Sequence, residues 1–71
     1  MEFTKDEMEF LRRLIDSYLE MLEMKLESKD LYPTEVLSEI ILISRFLGKI
    51  GLETPKKIEE LIGKVLDEVS D

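Results

Sequence analysis

Apolar residues return along this chain at intervals of three and four, the period of a helix with one face turned towards a core. Met8, Leu11, Ile15, Tyr18 and Leu22 mark the first such stripe. It opens on Thr4 and Glu7, spaced as a T-x-x-E capping box, with Phe3 and Met8 at the two positions of a hydrophobic staple. The pattern runs to about Ser28, where Lys25 and Lys29 suit the negative end of a helix. Asp30-Leu31-Tyr32-Pro33 then reads as a connector, because proline is tolerated before a helix or in its first turn but not inside it.

The second periodic segment runs from Thr34 to about Ile50. Its run Ile40-Ile41-Leu42-Ile43 is β-branched enough for a strand, yet the 36, 40, 43, 47, 50 spacing passes straight through it at helical period. Gly51 is suited to the position just past a helix end. Thr54-Pro55 restarts a helix, with threonine as cap and proline in the first turn, and Ile58, Leu61, Ile62, Val65, Leu66 and Val69 form its stripe. The pattern therefore predicts an all-α single domain over residues 1–71, an antiparallel three-helix protomer with helices at about 4–28, 34–50 and 55–70. The expected core is Leu11, Leu14, Ile15, Tyr18, Leu22, Val36, Ile40, Ile43, Leu47, Ile58, Leu61, Ile62, Val65 and Val69.

Two features of the pattern do not close within one chain. The third helix carries an apolar arc of about 140°, as a helix covering a core should, whereas that of the second spreads over about 260°. The first helix is expected to be about 37 Å long against about 24 Å for the others, which would leave its first two turns overhanging with Phe3, Met8, Phe10 and Leu11 exposed. Both features predict a homodimer, since a self-complementary apolar surface is most simply covered by a second copy. The expected interface residues are Phe3, Met8, Phe10, Leu14, Met21, Leu42 and Phe46.

Composition narrows the chemistry. The 71 residues hold 10 basic and 17 acidic side chains, net −7, with no His and no Cys. Clustered Lys and Arg for phosphate contacts are lacking, which speaks against direct nucleic-acid binding and against docking on anionic membranes. The N-terminal stretch has no basic segment followed by an apolar run, so no signal peptide is expected, and the apolar runs are far short of a membrane span. The expected location is cytoplasmic. Ala, Asn, Gln and Trp are absent too, while Glu, Lys, Leu and Ile abound, a bias in the direction of thermophilic proteins.

Without imidazole or thiol, no Ser, Thr, Tyr or Lys has an activating base, and catalysis is not expected. No cofactor is expected either. Carboxylate di-metal bundles add a Glu-x-x-His pair that this chain cannot supply, and no D-x-D-x-D-G loop is present. What remains is an acidic ridge on the first helix: Glu9, Asp16, Glu20, Glu23 and Glu27 fall within about 60° of one another around its axis. Like charges so spaced cost the helix a few tenths of a kcal/mol each. The ridge reads either as a solvated face or as a docking strip for a basic protein surface.

Two short resemblances bear on function. Leu47-Gly48-Lys49-Ile50-Gly51, followed by Lys56-Lys57-Ile58, resembles the G-x-x-G loop of KH domains, which implies a nucleic-acid clamp at Gly48, Lys49, Ile50 and Gly51. That family needs flanking strands, and residues 4–28 read as helix; a helix C-cap accounts for the glycines without a ligand. Asp16-Ser17-Tyr18-Leu19 is similar to the D-S-L segment of acyl carrier proteins, which implies phosphopantetheine on Ser17. In that family the serine starts a helix after a long loop, whereas here it falls in mid-helix. The expectation is thus a small acidic protein-protein interaction or assembly module acting as a homodimer. The alternative is an acidic inhibitor or regulator, of the kind carried by viruses and mobile elements, that docks on a basic surface of a nucleic-acid-handling protein.

Overall fold

The computed structural model describes residues 2–70 as three helices packed together, α1 (Lys5–Glu27), α2 (Pro33–Ile50) and α3 (Lys56–Ser70), with no strand among them. Helix α1 starts where the capping box places it: the Thr4 hydroxyl accepts from the Glu7 N–H at 3.1 Å, and the Thr4 N–H donates to Glu7 Oε1 at 2.8 Å. Its end was less legible. Lys29 takes the left-handed conformation, φ 64°, and the Asp30 and Leu31 N–H groups donate back to the Lys25 carbonyl. Helix α2 begins one residue earlier than expected, with Pro33 in its first turn and Tyr32 as an N-cap that makes no side-chain bond. Gly51 closes it in the left-handed region, φ 78°, donating to the Leu47 carbonyl, which is the capping role expected of it. Helix α3 begins at Lys56 rather than at Pro55.

Side-chain pairs fix the helix directions. Tyr18 Oη donates to Glu39 Oε2 at 2.9 Å, so α2 turns at residues 28–32 and runs back along α1. Lys57 reaches Glu23, Lys64 reaches Glu23 and Glu27, and Lys29 reaches Glu68, so α3 advances in the same sense as α1. The result is an up-down-up rod measuring 43 × 18 × 16 Å.

The core comprises Leu19, Leu22 and Leu26 from α1, Val36, Ile40 and Leu47 from α2, and Ile58, Leu61 and Val65 from α3, with Ile15, Leu31, Ile43, Leu52 and Ile62 half-buried against it. Helices α2 and α3 bury or half-bury the positions their periodicity predicts, Ile43 and Ile62 being the half-buried ones, except that Val69 is exposed on the last turn of α3. Helix α1 is rotated from the expected phase. Leu14 and Tyr18 stand on the surface, and Leu19 and Leu26, absent from the expected core, are buried. The buried stripe, Ile15, Leu19, Leu22 and Leu26, lies about 40° around the helix from the spacing 11, 15, 18, 22, whose outer edge at Tyr18 turns to Glu39 of α2 instead.

The overhang is also smaller than expected. Helix α2 spans 18 residues, about 27 Å, and the connector beyond it carries Leu52 back to a hollow it shares with Lys5, Met8, Glu9 and Arg12. Phe3, Met8 and Leu11 are therefore half-buried, and only Phe10 of that group is exposed. No helix among the described residues is long and apolar enough to cross a membrane.

Candidate functional site

Two faces of the rod carry whatever chemistry this chain offers, one charged and one apolar. The charged face lies between α1 and α3. Glu23 sits at its centre with one carboxylate oxygen 2.9 Å from Lys57 Nζ and the other 2.9 Å from Lys64 Nζ. Lys64 also donates to Glu27 Oε1 at 2.6 Å, and Lys57 lies 3.7 Å from Glu60. The Glu23 side chain is only 17% exposed, and the hydrogen bonds from Lys57 and then Lys64 hold its carboxyl below the usual glutamate range. The same bonds raise both lysines, chiefly through Glu23 for Lys57 and through Glu27 for Lys64.

This geometry divides the acidic ridge. Glu23 and Glu27 are engaged within the chain by α3. Asp16 and Glu20 line an open cleft of about 430 Å³ with Arg12, Glu53, Lys56 and Lys57 at the start of α3, and Glu9 lies one hollow further along with Met8 and Leu52. None of Glu9, Asp16 and Glu20 forms a salt bridge with a described residue. The α3 lysines were missing from the sequence reading because their pairing is non-local: nothing in the local spacing of Lys57 and Lys64 announces a partner more than thirty residues away.

The apolar face lies on α1 and α2. Helix α1 presents Phe10 at 54% exposure, Leu14 at 50% and Met21 at 37%, and α2 presents Leu42 at 58% and Phe46 at 44%. The register set by Tyr18 and Glu39 brings Phe46 level with Leu11 and Leu42 level with Ile15, because the two helices rise equally per residue. Five of the seven expected interface residues thus share one exposed side of the rod, while Phe3 and Met8 are half-buried near its end. Tyr18 borders this face, and its bond to the Glu39 carboxylate raises the phenol above its ordinary value. Leu37, Ile41, Leu66 and Val69 are exposed as well, so α2 and α3 leave a further apolar surface open.

The residues of the KH-like segment do not form a loop. Gly48, Lys49 and Ile50 lie in the last turn of α2, and Gly51 is its cap. Ser17 is an exposed residue in the middle of α1, not the start of a helix. No protein-family model, curated protein or solved structure matches this chain.

Proposed function

We propose that this chain is a small acidic assembly module whose working unit is a homodimer, joined through the α1–α2 face and without catalysis of its own. One observation carries the reading: Phe10, Leu14, Met21, Leu42 and Phe46 are all exposed along the α1–α2 side of a protein otherwise rich in charge. Exposed patches of that kind mark interaction sites more often than idle surface. The competing reading, an acidic regulator seated on a basic partner, has less to stand on, because Lys57 and Lys64 occupy two of the five ridge carboxylates.

Sedimentation velocity across a micromolar concentration series tests the proposal, with a dimer mass expected. Phe46→Asp should yield monomers with unchanged helicity, because it places an unpaired charge in an apolar contact and Phe46 is not one of the core residues. A monomer mass for the unaltered chain at the highest concentration would overturn it.

A further inference from the structure

The homodimer reading leaves open how two copies meet, and the residues on the α1–α2 face decide it. At about 100° per residue, Glu7, Phe10, Leu14, Ser17 and Met21 fall within an arc of about 80° on α1. Glu35, Glu39, Leu42, Phe46 and Lys49 fall within an equal arc on α2. Both stripes advance by alternating steps of three and four, the repeat by which helices interlock in coiled coils and four-helix bundles.

Each stripe can be turned end for end onto itself. Turning α1 about residue 12 sets Phe10 on Leu14 and Glu7 on Ser17, and carries Met21 level with Phe3. Turning α2 about residue 44 sets Phe46 on Leu42 and Lys49 on Glu39, and carries Glu35 past the end of the helix, out of the seam. One axis can serve both helices only if residues 12 and 44 are level. The Tyr18–Glu39 bond sets residue 44 of α2 level with residue 13 of α1, so the two midpoints lie one residue apart, about 1.5 Å along the rod.

A face-to-face pair has its two-fold axis in the plane of contact, either across the helices, as here, or along them. An axis along the helices lays α1 of one copy on α2 of the other at a common level. Phe10 then meets Phe46, Leu14 meets Leu42 and Glu7 meets Lys49, but Met21 meets Glu35 and Ser17 meets Glu39. The Glu39 carboxylates of both copies share one level there with no cation of either stripe beside them, a like-charge contact of the kind that selects against a pairing. The axis across the helices gives each Glu39 a lysine instead. Glu39 is half-buried and Lys49 exposed, the Tyr18 bond falls on Glu39 Oε2, and neither side chain forms a salt bridge with a described residue. Arg13 and Arg45 stand about 80° around their helices from the Phe10–Leu14 and Leu42–Phe46 pairs, on the outer flanks in either arrangement, and do not choose between them.

We propose that two copies associate through the α1–α2 face about a two-fold axis that crosses α1 at residue 12 and α2 at residue 44, so that Phe10 meets Leu14, Phe46 meets Leu42, and Lys49 of each copy meets Glu39 of the other. Helix α1 then lies antiparallel on α1 and α2 on α2, with an apolar centre and one Lys49–Glu39 pair towards each end. This geometry rests on the homodimer reading, and its test separates the two.

Carbodiimide coupling, which joins a lysine directly to a carboxylate it touches, is applied to an equal mixture of unlabelled and isotope-labelled chains of the unaltered protein, and the linked peptides are read by mass spectrometry. A Lys49–Glu39 link of mixed isotope is expected. Within one chain these residues lie ten positions apart on α2, about 15 Å, too far for a direct link. Dissociation constants are then measured by sedimentation for the unaltered chain, Lys49→Glu, Glu39→Lys and the double exchange, with circular dichroism as a check on folding. Each single change should weaken association about tenfold by opposing like charges, and the double exchange should return it to within about threefold of the original. A dimer that gives a mixed Lys49–Glu7 link in place of Lys49–Glu39, that gives neither, or whose double exchange is as weak as the single changes overturns the geometry and leaves the homodimer standing. An unaltered chain that stays monomeric overturns both.

Discussion

Truncating Leu19 should cost this protein much of its stability, and truncating Leu14, five residues away on the same helix, should cost almost nothing. Leu19 has no exposed surface, while Leu14 is 50% exposed. Both are leucines in the middle of α1, so helix propensity and chain position cancel from the comparison. Leu→Ala at a fully buried site removes about 2–5 kcal/mol, the spread reflecting how far the cavity collapses. A chain of this length holds on the order of 4–10 kcal/mol in total. Leu19→Ala should therefore lower Tm by at least about 8 °C, since each kcal/mol shifts a domain of this size by about 4–8 °C. Leu14→Ala, in dilute solution where dimers are dissociated, should fall within about 0.5 kcal/mol of the original, as surface changes do.

Urea denaturation followed by circular dichroism at low and high micromolar protein measures both effects. Leu19→Ala should lose stability equally at the two concentrations. Leu14→Ala should differ from the original chain only at the higher one, where the lost contact is between copies and mass action lets the dimer stabilise the fold. If Leu14→Ala is as damaging as Leu19→Ala in dilute solution, α1 presents Leu14 to its own core, and the open apolar face does not exist.

Other consequences are smaller. Gly48 and Gly63 sit inside helices with open space where a Cβ would be, so Gly48→Ala and Gly63→Ala should each add about 1 kcal/mol of stability by chemical denaturation. Gly51→Ala should instead lose about 1 kcal/mol or more, because its φ of 78° strains any residue with a Cβ. The folded carboxyl of Glu23 lies below its unfolded value of about 4.3, so its contribution is complete above that pH and lost as pH falls through the folded value. Melting curves of Glu23→Gln should therefore lie below those of the original chain at neutral pH and converge with them in acid. Lys57 and Lys64 are raised, so their contribution is complete below about pH 10.4 and fades only as alkaline pH passes through the folded values.

The helices themselves were legible because their signals are local. A capping box, two prolines in first turns or just ahead of them, and a glycine past a helix end place each boundary within a residue or so of its observed position. The rotation of α1 was not, and the failure has a physical origin. A helix with one apolar stripe has one orientation that buries it, as α3 has. Helix α1 has two, one through Ile15, Leu19, Leu22 and Leu26 and one through Phe10, Leu14 and Met21, and local spacing weighs them equally. Only the third dimension separates them, because Lys57 and Lys64 draw the Glu23 side of α1 towards α3 while Tyr18 reaches for Glu39 on α2. Those two attachments leave the second stripe facing away from the core.

That ambiguity is informative about what the chain is for. A monomer gains nothing from a second stripe, since exposed Phe, Leu and Met favour aggregation and add no folding energy. Here the stripe is bordered on α1 by two charges of opposite sign on either side of its midpoint, Arg13 and Glu20. A face that recognises a copy of itself gains from such charges, because under a two-fold axis one sequence supplies both the cation and the anion of a pair. The feature that blurred the reading of α1 as a core helix is thus the feature that the proposed homodimer requires, a helix with a core on one side and a second apolar face on the other.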